Sequence, residues 1–588
     1  MVNSATVIHE PSWFGARDHP LFGWLSYPQD SLVKGGVILA LPVGYEARGA
    51  RRAMRALAKS LAESGYVSLR FDYRGTGDSS GDFGSTLPNP GWLEDIASAV
   101  TYLRECGADR VSAVGMRLGA TLLGLAASHF QLDLSSLVAW DPCESGRSYL
   151  RELRALEVLR LEIDTNSQDG SVETAEFLFS EEMVNSLRSL NLSQSTPAAF
   201  AERTLIIHRR HRPLSTSMRT HLETGNVGFE VTDEQEALLD VYPFDAVSPT
   251  ITIARIVEWL SESEPEASIF PNLSFCTETL LTDIKEDRAI VERAVRVGPK
   301  QLFAVTSEPA VDAFGPWIVL LGGVHEDHTG PSRLWVEISR KWAAIGLRCV
   351  RIDLSGMGES PRNAEDPPLQ IDDPVWIRDV KTIGPSLSTK EPSNCVYIGY
   401  CSGGVLALEG AYGCGARGVC VVNLPSGVDY AHAILRLESS PTRIAKLIAR
   451  LLRRTPRPFP AVREFISLIF NALLPKRWFT NIAAEVMSQG TEVFALVGPD
   501  DLSPYRNVPV LRMFDERLTR ATRPYPSTLV PNLNHDMTSA TGRTEMARRL
   551  ENFVRNQFAP SSPSQLGSAN RDYDKFAQLQ STKVDLDE

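Results

Sequence analysis

At 588 residues, with 43% hydrophobic and 22% charged residues, the chain is too long for one compact core and has an ordinary composition for a globular protein. Its formal charge of −12 argues against nucleic acid as the main partner, since phosphate binding needs a net basic surface, while leaving room for local basic patches. The opening MVNSATVIHEPSWFG lacks a basic start, an apolar core and a small-residue cleavage site, so no signal peptide is expected. No apolar run approaches the roughly 20 residues that span a bilayer, so no transmembrane segment is expected either. The eight cysteines are scattered, without a CxxC pair or a His/Cys cluster at zinc spacing. That pattern fits a reducing cytoplasmic setting and calls for no metal and no cofactor.

In chain order, an apolar run from Val37 to Leu41 predicts a strand, followed by PVGYE and the helical stretch RRAMRALAKSLAESG. YVSLRFDYRGTGDSSGDF reads as a strand ending in Asp72 and a Gly-rich turn. Helical WLEDIASAVTYLREC, the strand RVSAVG, helical MRLGATLLGLAASHF and the strand SSLVAWD follow. From Trp317 the same series begins again. It runs WIVLLGG, SRLWVEISRKWAAIG, LRCVRIDLSGMGES, a helical connector, CVYIGY, CSGGVLALEGAYG and GVCVVNLPSG. Strands alternating with amphipathic helices imply βαβ crossovers and a parallel sheet. Smaller segments also recur, PLFGWLSYP with QLFAVTSEP and WDPCESGRSYL with VNLPSGVDYAHAIL. A fixed order of matching segments is the signature of a repeat. The expected organisation is α/β, with a first domain over 1–262, a linker at 263–272, a second domain over 273–559 and a disordered polar tail at 560–588. Each domain is expected to be a mostly parallel sheet flanked by helices.

In both copies a strand meets a helix through G-x-X-x-G. When X is Ser, this is the nucleophile elbow of α/β-hydrolases, in which a sharp turn lifts the central side chain to a helix N-terminus. In the second copy the turn is Gly399-Tyr400-Cys401-Ser402-Gly403, and Cys401 is the candidate nucleophile, a thiol favoured as thiolate by the helix end and a nearby imidazole. The partners follow in the order nucleophile, acid, histidine. EVFALVGPDD is a strand ending in Asp500 and Asp501, and STLVPNLNHDM is a strand and loop bearing His535. His535 is the expected acid/base. Either aspartate can orient it, with Asp501 preferred because Asp500 can close the turn after Gly498-Pro499. The oxyanion hole is expected from the Ser402 N–H and a second donor near Val324, in the loop Gly322-Gly323-Val324-His325-Glu326. In that region His325 is a candidate substrate contact at the mouth, and His325 and His328 otherwise read as residues of a solvated loop.

The first copy has Arg117 at the elbow centre, and a guanidinium is no nucleophile. RTLIIHRRHRPLS offers His208 and His211 but no carboxylate, and FEVTDEQEALLDVYPFDAV holds no histidine. With three roles vacant, this domain is expected to be catalytically inactive. Arg117 either binds a substrate carboxylate or phosphate or pairs with an internal acid such as Asp141.

Through LPVGYEARGARR, FDYRGTGDSSGDF, GMRLGA and WDPCESGRSYL, the first copy resembles α/β-hydrolase-like proteins associated with bacterial exosortase systems. The second resembles the broader α/β-hydrolase superfamily, and its GYCSGG is similar to the cysteine elbow of dienelactone hydrolases. The resemblance implies tandem α/β-hydrolase domains and acyl chemistry without naming the acyl group. About 65 residues between Leu424 and Glu492 separate the second copy from the compact dienelactone hydrolases, and a helical cap is expected there, over about 425–490. Its core is basic (Arg443, Lys446, Arg450, Arg453, Arg454, Arg457) with Ile444, Leu447, Ile448, Leu451 and Leu452 at helical spacing. Three readings stay open: a docking face for an acidic acyl-carrier protein, a helix on an anionic membrane surface, and a solvated cap helix. The function expected is a cysteine-dependent acyl hydrolase or acyltransferase, thioesterase-like, acting on an acyl (thio)ester through acyl-Cys401. The alternative is a catalytically silent tandem scaffold.

Overall fold

The computed structural model describes residues 6–29, 32–161, 170–174, 177–241, 243, 245–262, 268–269, 273–283, 288–311, 313, 315–323, 326–362, 374–424, 479–502, 527–535 and 537–558. The expected tail at 560–588, most of the expected cap and most of the expected linker lie outside the described residues. The chain forms two compact units, Met1–Leu281 and Thr282–Glu588.

The main sheet of the first unit is built from β1 (Val7–Phe14), β2 (Leu21–Pro28), β3 (Gly35–Ala40), β4 (Tyr66–Phe71), β5 (Val111–Met116), β6 (Ser136–Trp140), β7 (Arg203–Arg209) and β8 (Val227–Thr232). Across the sheet they lie in the order β1-β2-β4-β3-β5-β6-β7-β8. The pairings β1–β2 and β2–β4 are antiparallel, and all others are parallel. Side chains alternate between faces, as the pleat requires. Val37 and Leu39 enter one apolar layer with the helix Tyr45–Glu63, while Ile38 and Ala40 enter the other with Leu93–Glu105 and Leu118–Phe130. Covered on both faces, the central strands are buried along their whole length and read as mostly apolar runs. The chain just past the expected linker also packs on this unit. Trp13 N donates to Cys276 O at 2.8 Å, the Tyr102 hydroxyl donates to Ser274 O at 2.9 Å, and Phe275 stacks on Tyr27.

The second unit repeats the plan with β9 (Arg288–Val297), β10 (Leu302–Pro309), β11 (Trp317–Leu321), β12 (Arg348–Ile352), β13 (Cys395–Tyr400), β14 (Gly418–Val422), β15 (Glu492–Val497) and β16 (Ser527–Leu529). From Arg288 onward the order is β9-β10-β12-β11-β13-β14-β15-β16, the first unit's order shifted by one copy. Register matches as well, since Ala40 pairs with Gly115 on β5 and Leu321 pairs with Gly399 on β13. Both units are α/β, each a mostly parallel sheet flanked by helices, and the second repeats the strand order of the first in tandem.

The repetition extends to individual hydrogen bonds. Ser79 Oγ donates to Asp72 O at 2.6 Å and accepts from Phe22 N at 2.8 Å. Ser360 Oγ does the same with Asp353 O and Phe303 N, at 2.6 and 2.8 Å. Asp95 accepts from Arg74 N at 2.8 Å and Asp379 from Ser355 N at 2.9 Å. Trp92 and Trp376 each donate their indole N–H at 3.0 Å, to Arg74 O and Ser355 O. Buried polar groups need partners, and both copies meet that need with the same residues at the same places.

Candidate active site

The elbow follows from close approach of backbones. A Cβ on Gly399 would sit 2.2 Å from Gly403 O, and one on Gly403 would sit 2.3 Å from Gly322 O. Any side chain there would push strand, helix and neighbouring loop apart. Cys401 takes φ 51° and ψ −126°, the left-handed side of the map, where a non-glycine residue is strained. Its own N–H is fixed to Val422 O at 2.9 Å. The helix Ser402–Cys414 starts at the next residue, so Cys401 stands where backbone N–H groups lack partners within the helix and favour negative charge. Cys401 is half-buried.

Three side chains from separate segments meet at this point. Cys401 Sγ lies 3.4 Å from His535 Nε2, and His535 Nδ1 lies 2.9 and 3.0 Å from the two carboxylate oxygens of Asp501. Asp501 belongs to the short helix Pro499–Leu502 that follows β15, and His535 to the loop after β16. The side chain of Asp500 lies outside the described residues, as do Val324 and His325. Burial opposes a charge on His535, but the hydrogen bond to Asp501 and the contact with Cys401 outweigh it, and the imidazole is pushed up to about 11. The side chain of His535 keeps 38% exposure, so water moderates this pull. The direction is that of an imidazolium held between a carboxylate and a sulfur.

A residue that the sequence reading passed over holds this arrangement together. Asn423, fully buried at the end of β14 with φ 46°, accepts from Gly498 N at 2.8 Å and donates to Asn534 O at 2.9 Å. It therefore ties the acid turn to the histidine loop, next to β13 and its elbow. The two segments pack so closely that a Cβ on Gly498 would lie 1.9 Å from Leu533 O. The available signal was positional: Asn423 and Asp141 both follow the strand after the elbow helix, and both take positive φ.

His328 corrects the solvated-loop expectation. It is 3% exposed, its backbone N–H and Nδ1 lie 2.6 and 3.0 Å from the Asp353 carboxylate, and its ring packs edge-on against Phe303. A buried carboxylate at the end of β12 needs such a partner, and the imidazole supplies it.

In the first unit Arg117 takes the same strained backbone as Cys401, φ 54° and ψ −123°. The residue is 3% exposed, and its side chain is fully engaged with internal acids. Nε donates to Glu46 at 2.9 Å, Nη1 to the Asp141 carboxylate at 3.4 Å and its carbonyl at 3.3 Å, and Nη2 to Glu152 in a close ion pair. Arg209 extends the network to Asp141 at 2.6 Å and Asp240 at 2.7 Å. Burial works against the Arg117 charge, and the surrounding Cys143, Glu46, Asp141 and Glu152 more than offset it, holding it well above its ordinary value. Of the two roles open to Arg117, pairing with internal acids occupies every nitrogen of the guanidinium.

Residues 318–555 match the model of a family described as the Alpha/beta hydrolase family. This span contains Cys401, Asp501 and His535. No curated protein matches the chain. Similar solved structures include Est1E from Butyrivibrio proteoclasticus with ferulic acid bound, at 17% identity over 42% of this chain and 98% of that one, TM-score 0.34. An esterase of Pyrococcus furiosus is similar at 18% identity over 44% of this chain and 92% of that one, TM-score 0.33. The alpha/beta hydrolase GrgF from Penicillium sp. sh18 is similar at 17% identity over 43% and 98%, TM-score 0.33. Among the described residues, no helix is long and apolar enough to cross a membrane.

Proposed function

We propose that the second unit is a cysteine-dependent acyl hydrolase or acyltransferase, thioesterase-like, that works through an acyl-Cys401 intermediate. The observation that carries this reading is the unbroken chain Cys401–His535–Asp501, at 3.4 and 2.9 Å, on a strained elbow. With the thiol proton already held on His535 Nε2, the Cys401 sulfur attacks the acyl carbonyl carbon. The Ser402 N–H and a second donor near Val324 stabilise the oxyanion. As the tetrahedral adduct collapses, the imidazolium returns its proton to the leaving thiol or alcohol, and the acyl group stays on Cys401. Water or an acceptor nucleophile, deprotonated by His535, then attacks the acyl-enzyme and releases the product. Asp501 holds Nδ1–H and stabilises the cation throughout.

Thioesters suit this site because exchange between two sulfurs is nearly balanced in energy. In this reading the first unit is catalytically silent and has a structural or regulatory role. Arg117 at its elbow supports that assignment, and it is also the observation that favours the rival scaffold reading for the whole chain. The basic stretch within 425–478 supports an acidic acyl-carrier protein as donor; reversing charge at Arg450, Arg453 and Arg454 should then slow acyl transfer from carrier while sparing transfer from a free thioester. The test of the reaction itself is incubation with a panel of acyl-pantetheine thioesters, followed by intact-mass analysis and peptide mapping. An acyl adduct on Cys401 that is absent in Cys401→Ala is expected; no adduct with any acyl chain would sink the proposal.

A further inference from the structure

At the far end of the elbow's strand and helix lies a pair of thiols with no part in the chemistry above. Cys395 opens β13, and Cys414 closes the helix Ser402–Cys414. Their sulfurs are 3.5 Å apart. The surroundings are shaped around both sulfurs. Gly384, on the helix Pro374–Leu387, faces them so closely that a Cβ there would lie 3.1 Å from Cys414 Sγ and 3.2 Å from Cys395 Sγ. Tyr397 closes the site, donating its hydroxyl to Val380 O at 3.1 Å and accepting from Gly384 N at 3.1 Å. The two cysteines differ in access, since Cys395 is 1% exposed while Cys414 is half-buried.

We propose that Cys395 and Cys414 form an oxidisable dithiol, a modification site that closes into a disulfide on exposure to a hydroperoxide. Cys414 is the sulfur that reacts first. Its contact with Cys395 outweighs its own burial and lowers its pKa, which favours the thiolate at the more accessible position. Its sulfur attacks one peroxide oxygen; the O–O bond breaks, an alcohol leaves, and Cys414 becomes a sulfenic acid. Cys395, already in contact, attacks that sulfur. The S–S bond forms, the S–O bond breaks, and water leaves with the Cys395 proton. Two thiols are oxidised, and one hydroperoxide is reduced to an alcohol and water.

The sulfurs must approach from 3.5 Å to a bond length of about 2.05 Å, a small motion for two side chains already side by side. The bond would then clip both ends of the segment that carries Cys401, while Cys401 itself lies at the opposite end of the strand. The site does not depend on Cys401 being a nucleophile.

The test uses the full chain carrying Cys401→Ser, so that oxidation of Cys401 cannot contribute. It is treated with a stoichiometric alkyl hydroperoxide, and free thiols are then blocked. Loss of two hydrogens in the intact mass, a linked peptide joining Cys395 to Cys414 and a higher thermal midpoint that reverts on reduction are expected. Cys414→Ser should abolish the linked peptide and leave Cys395 to be alkylated after unfolding. A treated chain in which both cysteines stay free, or in which Cys414 links to another cysteine, overturns the proposal. Because the readout is a mass and a peptide, failure here leaves the acyl chemistry at Cys401 untouched, and failure there leaves this site untouched.

Discussion

Replacing Asn423 with alanine tests whether the catalytic geometry is held by one buried amide. The substitution removes the acceptor of the Gly498 N–H, which is buried, and the donor to the Asn534 carbonyl, which is partly buried. A buried polar group left without a partner costs about 1–3 kcal/mol, and the carbonyl that water can reach costs less. Alanine at φ 46° adds about 1 kcal/mol, since it lacks the local hydrogen bonding that makes asparagine tolerant there. The sum is a loss of about 2–4 kcal/mol in the second unit, large against the about 5–15 kcal/mol of a whole domain. Chemistry should suffer beyond stability, because the same amide sets the spacing between the Asp501 turn and the His535 loop. A displacement near 1 Å at a reacting site costs on the order of 100-fold in rate. The assays are denaturant unfolding, with hydrogen exchange on peptides from β14 and β15, and the alkylation rate of Cys401 in folded protein. A variant with parental stability and parental Cys401 reactivity would show that Asn423 supports neither, and the account of the site would lose its frame.

Asp501→Asn should keep the fold but lose the imidazole's orientation and charge support, lowering acyl transfer by about 10³–10⁴-fold, whereas Asp500→Asn should change it by no more than a few-fold. Equal losses in steady-state rates would reverse the assignment of the acid. Arg117→Met leaves Glu46 without its buried counter-charge and Asp141 with Arg209 alone, so the first unit should lose about 3–5 kcal/mol, seen as faster hydrogen exchange in β5 and β6. Cys401 alkylation should not change, and a parallel fall in it would give the first unit a role in the site. The raised value of His535 sets a pH dependence. Its folded pKa lies above the unfolded one, so its stabilisation is complete below about 6.5 and fades as pH rises through about 11. The stability difference between the parent and His535→Ala should therefore shrink from neutral toward alkaline pH. A difference that grows would contradict the imidazolium assignment.

Much of this was readable in the chain because local patterns agreed with the fold. WIVLL and CVYIGY sit on strands buried on both faces, so their apolar runs are complete, and GYCSGG and GMRLGA hold glycines where backbones touch. The expected order of nucleophile, acid and histidine picked out Cys401, Asp501 and His535, whose side chains the structure brings within hydrogen-bonding distance. The antiparallel edge strands were harder to see. RAIVERAVRV carries four charges in ten residues, yet Glu292 within it is fully buried, bonded to Arg351, Arg340 and Ser307. A pattern that equates charge with solvent misreads such a strand. His328 escaped for the same reason, since its partner Asp353 lies 25 residues away in sequence. Asn423 and the Cys395–Cys414 pair depend on contacts between separate elements, and only the match in position between Asn423 and Asp141 hints at one of them.

The most direct trial of the central claim is iodoacetamide labelling of the folded chain at neutral pH, followed residue by residue by mass spectrometry in the parent and in His535→Ala. The account predicts rapid alkylation of Cys401 in the parent and a collapse of that rate in the variant, with labelling at the other cysteines unchanged. Cys401 that reacts no faster than its neighbours, or equally fast without His535, would contradict it.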